Sequence, residues 1–191
     1  MPPTTTPPTD VILAIQDPYM SQIMDGTKTH EFRKYRLQPS TKRIWFYRTA
    51  PHSALTHIGS ILPAQTRNVG DPPLPETGLG NKEFNTRHKD WEGYDYAYEI
   101  VSVWELNKPI GLAEMKGTYG MKAAPRGLVY LPEKMAGRVE WWSQRLVRGE
   151  GMDGGGDEAK EGMEEGPENG GQEGEGEGEA KEGGGEAPVR V

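Results

Sequence analysis

Three stretches of the chain alternate hydrophobic and polar positions in the manner of β-strands. The first is Val11 to Ile15 (VILAI), the second Arg43 to Arg48 (RIWFYR), and the third Tyr96 to Leu106 (YAYEIVSVWEL), the strongest of them. In the second, Ile44 and Phe46 fall on one side and Trp45 and Tyr47 on the other. Both sides are apolar or aromatic, which predicts a strand with one face in the core and the other toward a pocket or partner. His57 to Leu62 and Val129 to Leu131 are shorter candidates, the last stopped by Pro132. The run Asn107-Lys108-Pro109-Ile110 is expected to end the third strand and begin a short element carrying Leu112 and Met115.

Helical signals are fewer. Asp17 and Pro18 form a helix start, with Asp17 as the cap and Pro18 in the first turn. Tyr19, Ile23 and Met24 then share a face, and Gly26 supplies a left-handed stop. Residues 81–92 read as a polar helix. Glu133 to Val147 read as an amphipathic one, with Met135, Val139, Trp142 and Leu146 on one stripe. Residues 63–80, with four prolines and three glycines, and the Gly/Pro-punctuated stretch 117–127 are loops. This order predicts a strand-dominated α+β domain: a small barrel or curved sheet flanked by short helices, with a C-terminal helix.

Composition divides the chain. Its 191 residues carry a net charge of −7. Residues 148–191 hold 14 acidic against 4 basic side chains and 15 of the 26 glycines, leaving 18 basic against 15 acidic in residues 1–147. The organisation read from this is a Pro/Thr-rich disordered leader at 1–9, a domain at 10–147, and a disordered acidic Gly/Glu tail at 148–191. With no cysteine, disulfides, thiolate metal sites and a cysteine nucleophile are excluded. His30, His52, His57 and His88 match no zinc spacing, so no metal site is expected. No signal peptide or apolar run of membrane-spanning length is evident. The expectation is a soluble intracellular protein, cytoplasmic or nuclear, monomeric and without a cofactor.

Candidate chemistry gathers between Gly26 and Arg48. Lys28 to Arg48 carries seven Lys/Arg against one Glu. Within Gly26-Thr27-Lys28-Thr29-His30-Glu31-Phe32-Arg33, Glu31 and Arg33 are two apart and project from one strand face. A carboxylate between two cations stays ionised and can orient a planar or anionic ligand. His30, on the other face, is expected at the surface.

This octapeptide resembles the GxKxxExR motif of ASCH domains, members of the PUA-like superfamily of small β-barrels. It follows a first strand and short helix, as in that family, and YEIVSVWELNKPIGLAEM and APRGLVYLP are similar to the closing strands of such a barrel. The resemblance spans about residues 11–132. It implies a cleft beside the barrel that binds RNA or a modified nucleotide, lined by Gly26, Lys28, Glu31 and Arg33. It also implies an alternative. Some ASCH-like proteins are amidohydrolases of N-acylated cytidine and others have been described as ribonucleases, which would make Lys28 and Glu31 catalytic. The amidohydrolases carry a Thr where this chain has Glu31.

Around the motif, Arg36 and Arg43 are candidates for phosphate contacts, together with Lys34, Lys42 and Arg48. Trp45 and Tyr47 are candidates for base stacking. Of the six aromatics Trp91, Tyr94, Tyr96, Tyr98, Trp104 and Tyr119, four are expected in the core, with Trp91 and Tyr119 exposed for stacking. A third reading makes the barrel a scaffold whose acidic tail contacts a basic protein partner.

Overall fold

The computed structural model describes residues 10–150. The leader and the tail from 151 onward lie outside the described residues. Eight strands form one curled sheet, a half-barrel: β1 (Asp10–Ile15), β2 (His30–Arg33), β3 (Arg43–Arg48), β4 (Ala54–Ile61), β5 (Gln65–Thr66), β6 (Tyr96–Gly111), β7 (Val129–Tyr130) and β8 (Arg145–Arg148). The order across the sheet is β2-β6-β4-β3-β1-β7, with β5 and β8 also paired to β6. β1 and β3 are parallel, in register Asp10 to Arg43 through Ile15 to Arg48. The helices are short: α1 (Tyr19–Asp25), α2 (Asn81–Asn85), α3 (Leu112–Gly117) and α4 (Glu133–Ala136). The strand-dominated α+β expectation therefore holds. Among the described residues no helix is long and apolar enough to cross a membrane.

The alternation in β1 and β3 sorts their side chains onto two cores. Val11, Leu13 and Ile15 of β1 join Ile44 and Phe46 of β3 on one face, where Met20 and Ile23 of α1 cover them. Ile12, Trp45 and Tyr47 lie on the opposite face, beneath Met115, Tyr119, Leu131 and Met135. A third cluster, Phe32, Leu74, Phe84, Trp91 and Ala97, sits behind β2.

Gly26 has φ +84° and ends α1 in the left-handed conformation that its sequence position predicts. Asp17 does not cap the helix. Its carboxylate instead accepts from Arg48 Nη2 at 2.6 Å and His52 Nε2 at 2.8 Å, a competing charge-assisted pair.

Three predicted elements are corrected. The 81–92 helix is broken into α2 and a 3-10 turn at Lys89–Trp91, because Arg87 takes φ +52° and Phe84 and Trp91 both turn inward. The third strand does not stop at Leu106 but runs to Gly111. It leaves its β4 ladder after Glu105, opposite His57, and rejoins at Ile110, opposite Leu55, so Pro109 falls where no ladder hydrogen bond is required. Of the expected C-terminal helix only the first turn, α4, forms. After α4 the chain passes through a 3-10 turn at Trp141–Ser143 into β8, which pairs antiparallel with β6. Pairing along an available sheet edge overrides the helical spacing of Val139, Trp142 and Leu146, which Gly137 already interrupts. Trp142 is accordingly 64% exposed, not packed on a stripe. Arg148, assigned to the tail by composition, belongs to the sheet.

Candidate functional site

The motif begins at the left-handed turn of Gly26 and enters β2. Bonding of the Ile100 N–H to the Thr29 carbonyl shows that odd-numbered residues of this segment turn their backbone groups toward β6. His30 and Phe32 therefore turn theirs to the unpaired edge. Motif cations cap that edge: Lys28 Nζ donates to the His30 carbonyl at 2.7 Å and Arg33 Nη1 to the Phe32 carbonyl at 3.3 Å. Glu31 lies between the two cations, with Oε2 3.5 Å from Lys28 Nζ and Oε1 2.6 Å from Arg33 Nη2. Lys28 Nζ also lies 4.7 Å from the centre of the Phe32 ring.

Lys28 is 7% and Glu31 5% exposed. Burial pushes the Lys28 ammonium below its ordinary range, with Arg33 acting in the same direction and Glu31 opposing. The two groups sequence reasoning offered as catalytic are thus buried and paired with each other. Of the three motif side chains, Arg33 borders the cleft described next.

Arg33 borders a cleft of about 330 Å³ lined by Leu13, Ala14, Arg33, Lys34, Tyr35, Tyr94, Arg126 and Gly127. Its walls come from both ends of the curled sheet: β1 and the segment before β7 on one side, the exit of β2 on the other. Lys34 is exposed, with Nζ 4.7 Å from the centre of the Tyr94 ring. Arg126 is exposed and forms no ion pair among the described residues. Tyr35 is half-buried, and burial raises its phenol above the usual range, with Glu31 also raising and Arg33 lowering; it enters the cleft as a neutral donor. Among the described residues no carboxylate lines the cleft.

The other sequence candidates fall elsewhere. Gly26 shapes the turn and does not line the cleft. Arg36 borders a separate hollow of about 30 Å³ beside Leu37 and Tyr98. Arg43 donates to Asp10 at 2.8 Å and stacks 4.5 Å from the Trp141 ring centre, on the Trp45 side of the sheet. Trp45 and Tyr47 are buried in the second core. Their aromatic face does meet a partner, but the partner is the chain's own segment from Met115 to Trp141. Trp91 and Tyr119 are buried too, against expectation. The loops that carry them fold over exposed sheet faces, where large aromatics contribute most by burial. His30 is likewise buried, with Nδ1 2.9 Å from Thr29 Oγ1 and Nε2 3.3 Å from Gln65 Oε1.

Tyr94 and Arg126 were not singled out for the cleft by sequence, and they lie 32 residues apart. The only local signals were a glycine beside each, Gly93 before Tyr94 and Gly127 after Arg126. Among the described residues no group of three or more His, Asp or Glu could hold a metal ion.

No family model and no curated protein matches the sequence. Among solved structures, the fold is similar to that of an ASCH protein from Zymomonas mobilis. A serine-to-alanine variant of that protein aligns with a TM-score of 0.50 and 20% identity, over 68% of this chain and 92% of the other. The unsubstituted protein aligns with a TM-score of 0.46 and 19% identity over the same shares.

Proposed function

From the ASCH-domain fold of this chain as premise, we propose that it is a nucleic-acid-binding module holding a short single-stranded RNA segment or a modified nucleotide in the cleft beside Arg33. The observation that carries this reading is the lining: three cations and two tyrosines with no carboxylate among the described residues. Phosphates attract Lys34 and Arg126, which form no ion pair among the described residues, and tyrosine faces stack on bases without regard to sequence. Arg33 is fixed in direction by Glu31, so one of its faces is presented already oriented. The cleft volume falls at the lower end of ordinary ligand sites, suited to one nucleotide at a time.

The hydrolase reading is weaker on the same geometry. A general acid or base must reach the reacting atom, and Lys28 and Glu31 face each other and the β2 edge instead. Purified protein is expected to leave N4-acetylcytidine intact.

Fluorescence anisotropy with a labelled single-stranded RNA nonamer tests the binding reading. Lys34→Ala and Arg126→Ala are each expected to weaken binding and to flatten the dependence of log K on log salt by about 0.7. Unchanged affinity in the double variant, with the thermal transition intact, would overturn the assignment to this cleft.

A further inference from the structure

β1 carries an unused backbone edge inside the same cleft. Its odd residues face β3, as the bond from Thr49 N–H to the Ile15 carbonyl shows; its even residues face β7, as the bond from Leu131 N–H to the Asp10 carbonyl shows. The β1–β7 register pairs Ile12 with Val129, so Ala14 would meet Gly127. The ladder does not extend that far: β7 begins at Val129, and no backbone bond joins Ala14 to Gly127 among those of the described residues. Both residues line the cleft. Ala14 is half-buried, and its N–H and C=O point away from β3 into the opening.

Resting on the RNA-binding reading, we propose that Ala14 pairs through its backbone N–H and C=O with the hydrogen-bonding edge of one unpaired nucleobase. A donor and an acceptor side by side on one residue match the adjacent acceptor and donor that the Watson–Crick edge of each base presents. A peptide strand added to this edge would be the other occupant of such groups. It needs a run of free residues, whereas a single residue is free here, and the cationic surroundings favour a phosphate-bearing partner. The methyl of Ala14 turns to the opposite face with Ile12 and does not obstruct a flat ring. Tyr35 and Tyr94 stand within the same walls. The proposal restricts the ligand to single strands, because a duplex has already used that edge of its bases.

The test compares labelled nonamers of uridine, of 3-methyluridine and of abasic ribose phosphate on the full chain. Methylation at N3 removes the base's donor while leaving its stacking face and backbone charge. Uridine is expected to bind about tenfold more tightly than 3-methyluridine, the scale of a good paired contact. Ala14→Pro, which removes the N–H at a position facing away from the β3 ladder, should erase that preference. Equal binding of uridine and 3-methyluridine overturns base pairing by Ala14 and leaves RNA binding standing. Absence of binding to all three removes the RNA reading itself. The methylated ligand needs no variant, so misfolding of Ala14→Pro would not protect the proposal.

Discussion

Glu31→Ala is expected to lower the folding stability of the domain by about 3–5 kcal/mol, the range found when one partner of a buried charge pair is removed. The total for a domain of this size is on the order of 5–15 kcal/mol, so the loss is a substantial share of it. The physical reason lies in the order of layers. Lys28 is buried, and Glu31 is the carboxylate that faces both it and Arg33. Removing it leaves an ammonium held by the His30 carbonyl and the Phe32 ring.

Lys28 already has its folded-state pKa pushed below 10.5 by burial, so the folded form releases this proton more readily than the unfolded form. Stability tied to it is lost as the pH falls below the unfolded value and regained as the pH rises. The Glu31→Ala defect should therefore shrink between pH 7 and pH 10. Urea titrations at both pH values check this. A second variant, Lys28→Met with Glu31→Gln, should recover most of the loss, since the paired groups leave together. A Glu31→Ala protein as stable as the parent would show that the motif carboxylate does not hold the β2 edge.

The second large effect concerns acid. His57 lies in β4, buried, with Nδ1 2.8 Å from Thr56 Oγ1 and Nε2 buried without a hydrogen-bond partner among the described residues. Burial first, then the charges of Arg48 and Arg145, lower its pKa to about 4, with Asp17 opposing. The unfolded chain has His57 near 6.5 and so binds the proton that the folded chain refuses. Stability is full above about pH 6.5 and declines as the pH falls toward 4. The whole difference amounts to about 3 kcal/mol, of which about 2 kcal/mol is lost by pH 5. His30, whose pKa burial also lowers, adds to the decline in the same window. Thermal unfolding from pH 8 to pH 5 should show a marked fall in the parent and a flatter profile in His57→Gln. Parallel profiles would mean that His57 is not the sensor.

Much of this architecture was readable from local pattern. β1 and β3 followed from alternation, and the Gly26 turn from the conformational freedom of glycine after an apolar face. What escaped was set by distance along the chain. The aromatic side of β3 could be read as facing a partner, but nothing near Trp45 and Tyr47 announces that Met115, Tyr119 and Met135 return to cover it. Arg145 to Arg148 carry little intrinsic strand preference; they become β8 because β6 offers an edge. The site divides the same way. GTKTHEFR marks where the charged cluster forms, yet spacing along a strand could not show that Lys28 and Glu31 turn inward to finish the β2 edge while Arg33 turns out. The cleft itself is made from Ala14, Tyr94 and Arg126, which only the curl of the sheet gathers.

β6 bonds to β2, β4, β5 and β8, and so joins residues from His30 to Arg148. The pairings of β2, β4 and β5 all wait for this single segment near the middle of the chain. During synthesis the first ninety or so residues emerge with β2 unpartnered and its charged motif open to water, and only the arrival of Tyr96–Gly111 lets the edges close. Long-range pairing of this kind slows folding. The ribosome-bound nascent chain, before β6 appears, is the stage at which this protein most needs protection from association with its neighbours.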